Sequence, residues 1–517
     1  MELATSVSEN FFVNYAMFSS MLFYYIMRKT ILLGFSLLLL VSNAAFSQNA
    51  SSYTLRDVVE RAKAQSPESL RIKTQRENMY WRYKFFRSNY NPQLRLNGIL
   101  PSFRQEFSSI TQPDGDIEFL QIRQNLMDLG LGLQQVFAPT GGLVSVNTST
   151  NRFDNFLSGS GDVQTRWQGT PVNVRVDQPL FAYNRFKWDQ KIEPLVFEES
   201  KREYVEQMER LSGFAADLFF DLLDAQINLE IANTNLTTNE QILKIEKLRY
   251  ELGMTFEDKL LQTELNFLTA RQEAAQARLN METSALRIKS NLGLNEAIDL
   301  KLITPEDIPD FDVDVDRAIE LAFQYRADAM GFDRRKLEAD AQIAEARGER
   351  FRINLSASYG FNNAALNWRD IYNNPNTQAL VNLGVSVPVL DWGRNKARMS
   401  LAEANKKLVE YTLAQDQINF EQEIFTKVKN FLMLKDRLEI TRKSDEVAQK
   451  RYDSALKRYQ TGNVSLTDLD IAQRDKDSNK RAYIKALREY WLAYFELRQL
   501  TLYDFESKRL LYIPELD

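Results

Sequence analysis

The segment Val172-Asn173-Val174-Arg175-Val176-Asp177-Gln178-Pro179 returns 209 positions later as Val381-Asn382-Leu383-Gly384-Val385-Ser386-Val387-Pro388. Two further matches keep that offset. Leu229-Glu230-Ile231 pairs with Leu438-Glu439-Ile440, and Arg249-Tyr250-Glu251-Leu252-Gly253 with Arg458-Tyr459-Gln460-Thr461-Gly462. A constant offset over so long a stretch means two copies of one unit with no net insertion between them. The 517 residues could hold several ordinary domains. The duplication argues instead for one architecture of two similar halves, 48–300 and 301–517, behind an N-terminal segment 1–47.

Within each half, long helical stretches alternate with short strands. Tyr53 to about Tyr90 reads as helix, ended by Asn91-Pro92. Leu94 to Ile99 alternates apolar and polar residues as a strand does. From Pro101 to Thr170 the chain is rich in Gly, Ser, Thr, Asn and Asp, which reads as surface loops with room for an extra hairpin, and Leu143 to Val146 as an extra strand. Val172 to Val176 alternates again and Pro179 closes that strand. A helical stretch from about Asn184 to Glu251 follows, with Pro194 kinking it or marking its start. Gly253 breaks it, and a shorter helix runs from about Phe256 to Leu292. The second half repeats the order: helix 316–350, strand Ile353 to Tyr359, strand Val381 to Val389 with Pro388 near its end, long helix 393–460, break at Gly462, helix to about Leu502. Each long helix spans about 100 Å, and the shorter helices of its half, stacked end to end, match that length. Leu261, Leu265, Leu268, Ala275, Leu279 and Leu286 form a narrow coiled-coil seam along the shorter helix.

Composition removes most chemistry. The chain has no cysteine and no histidine, which excludes His- and Cys-based metal sites, Ser-His-Asp and Cys-His nucleophile systems and disulfides. No cofactor motif is present, and the expectation is a protein that is not an enzyme. The net charge is −5 with no dominant basic stripe, so nucleic acid is not an expected partner. Met27-Arg28-Lys29, the apolar run Ile31 to Val41 and the small residues of Ala45-Phe46-Ser47 have the layout of a secretory signal peptide, with residues 1–26 as an upstream extension.

Four short alternating strands cannot stand alone in water, but alternation suits a membrane barrel, apolar residues to lipid and polar ones to the lumen. Trp167, Trp188, Trp368, Trp392, Tyr183, Tyr359 and Phe361 flank the strands, where interface aromatics belong. Three chains supplying four strands each would close a barrel of twelve.

On these features the chain resembles the TolC family of outer-membrane efflux proteins, from Tyr53 to about Leu502. The resemblance rests on the strands ending in proline (Gln178-Pro179, Val387-Pro388), the Arg-Tyr-x-x-Gly breaks at 249–253 and 458–462, and the order of elements repeated once. It implies an α+β fold: two structural repeats forming long antiparallel coiled-coil helices as a periplasmic α-barrel, plus four β-strands per chain in a trimeric transmembrane β-barrel. It further implies a homotrimer in the outer membrane of a Gram-negative bacterium, embedded in outer-membrane lipid, docked to a periplasmic adaptor and an inner-membrane pump, and passively passing small molecules such as drugs. Export of proteins or peptides through a type I secretion system is the alternative within the family, and a soluble coiled-coil scaffold the alternative outside it.

The resemblance places a gate at the periplasmic tip, at the two helix breaks. The implied gate residues are Tyr250, Gly253, Asp258 and Lys259 in the first repeat, with Tyr459, Gly462, Asp468 and Asp470 in the second. A carboxylate six positions after the glycine commonly faces the lumen in the family. Asp468 matches it, while the first repeat has Lys259 there and Asp258 as its nearest acid. At the position two after the glycine, basic in some relatives, stand Thr255 and Val464.

Overall fold

A computed structural model of the chain describes residues 51–156, 162–294, 300–461 and 463–514. The signal-peptide reading and Gly462 lie outside the described residues.

A short parallel pair ties the two halves together: β1 (Ser51–Tyr53) lies beside β6 (Leu300–Leu302). In the first half, α1 (Leu55–Gln65) and α2 (Pro67–Ser88) precede the strands β2 (Gln93–Thr111), β3 (Ile117–Phe137), β4 (Gly142–Phe156) and β5 (Val163–Leu180). The long helix α3 (Arg185–Glu251) and the shorter α4 (Glu257–Leu292) follow. In the second half, α5 (Val315–Tyr325) and α6 (Ala327–Gly348) lead to β7 (Arg352–Ala365), a 3-10 turn (Trp368–Tyr372) and β8 (Asn376–Ser386). Then come α7 (Arg394–Gln460) and α8 (Leu466–Thr501), with a final small hairpin of β9 (Tyr503–Asp504) and β10 (Arg509–Leu510).

The duplication is kept residue for residue. The long helices α3 and α7 have 67 residues each, and α4 and α8 have 36 each, at the offset of 209 read from the sequence. Ahead of the sheet, α1 and α2 match α5 and α6 in length at an offset of 260. The first half therefore carries 51 more residues between α2 and α3 than the second carries between α6 and α7. By these offsets β2 corresponds to β7 and β5 to β8, and β3 with β4 is the inserted hairpin.

This corrects the expected strand count. Among the described residues one antiparallel sheet holds six strands, in the order β2-β3-β4-β5-β7-β8. The region 101–170, read as surface loops with room for an extra hairpin, is mostly strand: the hairpin is β3–β4, and the strand expected at Leu143 to Val146 lies within β4. The region's Ser, Thr, Asn and Gly residues signal turns in a soluble protein, but here they are strand residues: Gly130, Gly132, Ser145, Asn147 and Ser149 share one face, and Thr148 and Thr150 stand beside Leu131 and Leu129 on the other. The register sorts the two faces. One row across all six strands runs Leu94, Leu133, Val146, Val174, Tyr359, Ala379. The adjacent row, on the other face, runs Arg95, Gly132, Asn147, Asn173, Gly360, Gln378. Strand residues alternate faces, so in the half of the sheet next to the helices one side is apolar and the other polar; further out the sides exchange, Leu126 and Phe153 joining the face of Gly132 and Asn147, and Asn125 and Asp154 the face of Leu133 and Val146. A Cβ on Gly360 would lie 2.3 Å from the Val172 carbonyl oxygen, so that crossing requires glycine.

Two helices read as single are broken. Ser66 ends α1 with an extended backbone and caps α2, its hydroxyl accepting from the Ser69 N–H at 3.0 Å, with Pro67 in the first turn. At Arg326 a similar extended residue separates α5 from α6, and the Glu206 carboxylate of α3 accepts the Ala327 N–H at 2.6 Å. Pro194 lies inside α3, which starts at Arg185, capped by Asn184.

The helices lie side by side as a layer. In the tier beside the sheet the packing order is α2, α3, α6, α7; toward the far end it is α4, α3, α8, α7. Phe219, Phe220, Phe431 and Tyr490 fill the core where the tiers meet. Around it charged groups are paired: Glu209 takes Lys63 at 2.6 Å and Arg498 at 2.8 Å, and Arg488 takes Asp221 at 2.7 Å. The leucine seam of α4 does not pack on α3. Thr263, Ala270, Ala274 and Ala277 are buried instead, while Leu261, Leu265, Leu268, Leu279 and Leu286 are exposed. Small side chains let two helices approach closely, so the alanine face takes the inner position.

Candidate functional site

Both helix breaks lie at the end of the molecule away from the sheet. Each closes a continuous helix of 67 residues that begins at a strand, a length of about 100 Å. Their side-by-side placement is fixed by contacts between the repeats: Ile242 of α3 packs with Tyr452, Tyr459, Leu466 and Leu469.

Each break closes the same way. In the first repeat the Met254 N–H reaches back to the Arg249 carbonyl at 2.7 Å, around Gly253 at φ +69°. The matching bond in the second repeat joins the Asn463 N–H to the Arg458 carbonyl at 2.9 Å. This is the helix-ending motif that favours a left-handed residue, and glycine supplies it without strain.

The two tyrosines of the breaks differ in what they do. Tyr250 is exposed. Tyr459 is buried, and its hydroxyl donates to Glu246 of α3 at 2.8 Å. Arg249 donates to the same carboxylate oxygen at 2.7 Å and lies over the Tyr459 ring, 5.6 Å from its centre. Glu246 is fully buried. Burial, the largest single influence, pushes its carboxyl up; the Tyr459 hydroxyl, Arg249 and the nearby Lys259 together hold it below the usual range. The same burial, with the Glu246 carboxylate beside it, pushes the Tyr459 hydroxyl well above the ordinary phenol range. Glu246 is not among the residues expected from the sequence, and Arg249, though part of the repeated Arg-Tyr-x-x-Gly motif, has no role assigned there; the signal for their pairing is a helical spacing of three, which is common among surface pairs.

The other expected residues lie in the opening turns of the helices that follow the two breaks. Lys259 is half-buried and acts on Glu246. Asp258 is exposed in the first turn of α4. Asp468 is exposed in the first turn of α8; its N–H donates to the Ser465 hydroxyl at 3.1 Å, and that hydroxyl donates to its carboxylate at 2.6 Å. Within the chain, Lys259 and Asp468 form no ion pair among the described residues. Asp470 is half-buried against α4, where Asn266 approaches it at 3.5 Å, and burial raises its carboxyl.

At the sheet end five of the seven aromatics fall near the two ends of the strands and two lie between. Tyr183, Trp188 and Trp392 stand where strands pass into long helices; Trp392 is 90% exposed. Trp167 pairs across to Ala365 near the opposite end, where Trp368 begins the 3-10 turn. Tyr359 and Phe361 lie between, on β7, their rings 6.1 Å apart. Pro179 is the last but one residue of β5; Pro388 lies just past β8, which ends at Ser386 rather than continuing to Val389.

Among the described residues no group of three or more acidic side chains lies together as a metal site, and no helix is long and apolar enough to cross a membrane.

The fold recurs in solved outer-membrane channels. The Campylobacter jejuni CmeC outer membrane channel is similar at TM-score 0.63 and 15% identity, over 88% of this chain and 87% of that one. The Vibrio cholerae outer membrane protein VceC is similar at TM-score 0.59 and 16% identity, over 87% and 95%. A Pseudomonas aeruginosa membrane protein reaches TM-score 0.61 at 17% identity, over 89% and 92%. No curated protein matches by sequence alone. The outer membrane efflux protein family matches residues 141–294 and 332–501, more than half of the chain and one segment in each repeat. With the repeats, the two-faced sheet and the paired helix breaks already in view, that match is decisive: the chain belongs to the outer membrane efflux protein family, the TolC-like channels.

Proposed function

We propose that the chain is one protomer of a homotrimeric exit duct in the outer membrane, conducting small molecules passively from an inner-membrane pump that it meets through a periplasmic adaptor. One observation carries this reading. Among the described residues every tier ends in one free edge from the first repeat and one from the second: β2 and β8 in the sheet, α2 and α7 in the middle tier, α4 and α7 in the far tier. Such edges suit head-to-tail contact with further copies, and a head-to-tail contact closes into a ring when the rotation allows. A ring removes the open sheet edges that lipid cannot tolerate. The polar sheet face then lines the lumen and the apolar face meets lipid.

The gate is at the ring's far end. Three copies of Asp468 around a narrow lumen would favour cations, and the Glu246–Tyr459 tie holds α7 against α3 in the closed state. The test is conductance of the purified protein in planar lipid bilayers, with its mass measured in mild detergent. Trimers with discrete conductance steps are expected; a monomer that conducts nothing overturns the reading.

A further inference from the structure

The inserted hairpin β3–β4 is built as wall rather than as an external loop. Its residues continue both rows of the sheet. On the apolar face Leu129, Leu131 and Leu133 of β3 and Val146 of β4 are exposed, level with Leu94 and Leu96 on β2 and Val172 and Val174 on β5. On the polar face Gly132 and Asn147 continue the row of Arg95 and Asn173. A loop folded over the outside or plugging the lumen has no reason to alternate in step with its neighbours at membrane depth, because a shift of one residue would reverse every side chain.

The turn of the hairpin is also bound into the junction with the helices. Asn184, which caps α3 by accepting from the Lys187 N–H at 3.1 Å, donates from its amide to the Ala138 carbonyl at 2.8 Å. Gln178, near the end of β5, accepts from the Thr140 hydroxyl at 2.7 Å and donates to the Thr140 carbonyl at 3.0 Å. The turn thus sits where strands become helices, level with the end of β5; at the other end β3 runs on past β4 beside β2.

We propose that the outer-membrane end of this channel is a barrel of eighteen strands, six from each of three chains, with β2 of one copy paired to β8 of the next. This rests on the trimeric channel reading above. Barrel diameter grows roughly linearly with strand number, so this barrel is about 1.5 times as wide as one of twelve strands. A solute leaving through it meets no constriction from the wall itself, and selection by size falls to the far tip.

The absence of cysteine makes the test direct, since one introduced thiol is the only one in the chain. Leu133→Cys and Val146→Cys in the hairpin, and Val174→Cys outside it, each carry an environment-sensitive fluorophore in vesicles of brominated phosphatidylcholine. Ser145→Cys, on the polar face, is treated with a membrane-impermeant sulfonated maleimide. The expected result is equal quenching at positions 133, 146 and 174, with labelling at 145. Quenching at 174 alone overturns the eighteen-strand barrel and leaves the channel reading standing. Loss of quenching at all three positions sinks the channel reading itself. Counting strands around the assembled ring by electron cryomicroscopy gives a second readout, in which twelve rather than eighteen overturns the proposal.

Discussion

Tyr459 and Tyr250 occupy matched positions in the two repeats, yet only Tyr459 reaches a buried carboxylate. A hydrogen bond to a charged group is worth about 1.5–3 kcal/mol, and Tyr459→Phe leaves Glu246 buried with Arg249 as its remaining close donor. Tyr459→Phe should therefore raise the open probability of the channel in planar bilayers, with little change in single-channel conductance. The pH dependence has a definite sign. The Glu246 carboxyl is held low in the folded chain, so its stabilising contribution is complete above the ordinary carboxylate range and is lost as pH falls through the lowered value. Opening should increase below about pH 4.5, near the free glutamate value, and Glu246→Gln should flatten that dependence. Asp468 makes a separate prediction. Asp468→Asn should reduce cation selectivity and block by multivalent cations; unchanged values would leave it as a charge favoured by the helix N-terminus, where it already pairs with Ser465.

At the scale of elements, the informative case is the start of α6. Its capping residue Arg326 makes no side-chain cap, and Glu206 on α3 supplies the acceptor instead. Burial there pushes the Glu206 carboxyl up to about 7, against the opposing pull of the Ala327 N–H and Arg326. A raised carboxyl favours folding at low pH, and that advantage disappears as pH rises through about 7. Glu206→Gln keeps an oxygen acceptor without the charge. The variant should gain stability of roughly 1–3 kcal/mol relative to the parent at pH 8 and little at pH 5, read as the difference in melting temperature at the two values. A drop in melting temperature at pH 8 would show that the ionised carboxylate is the better cap.

For the whole molecule, the duplication gives a rule for contacts between copies. Within a chain, α8 packs on α3 through polar pairs such as Asn235–Asp477 at 2.7 Å and Arg481–Asn228 at 2.8 Å. Shifted by the repeat offset of 209, Asn235 becomes Ser444 on α7 and Asp477 becomes Leu268 on α4. The exposed leucine seam of α4 therefore occupies the positions that α8 uses within the chain, and the repeat rule predicts α7 of a neighbouring copy as its partner. Leu268→Cys with Ser444→Cys should form covalently linked trimers under mild oxidation, seen as a ladder on a denaturing gel, while either variant alone stays monomeric there. Absence of linkage in protein shown to be trimeric would mean that the ring closes by a different operation from the one relating the repeats.

Much of this was written in the chain. The repeat offset, the 67-residue helices and the paired breaks follow from local signals: glycine at positive φ, proline before or after a strand, and long runs without either. The family likeness rests on those same signals. The sequence could not show that 101–170 is wall, because alternating Gly, Ser and Asn looks like loop until a neighbouring strand fixes which face each residue takes. Nor could it place the seam of α4, since a heptad of leucines states only that a partner helix exists. The tie of Glu246 to Tyr459 joins residues 213 positions apart, and only the packing of α3 beside the end of α7 brings them within reach. Local chemistry determined where each element begins and ends; the tertiary structure decided which face of each is buried, because burial depends on neighbours that lie far off in the chain.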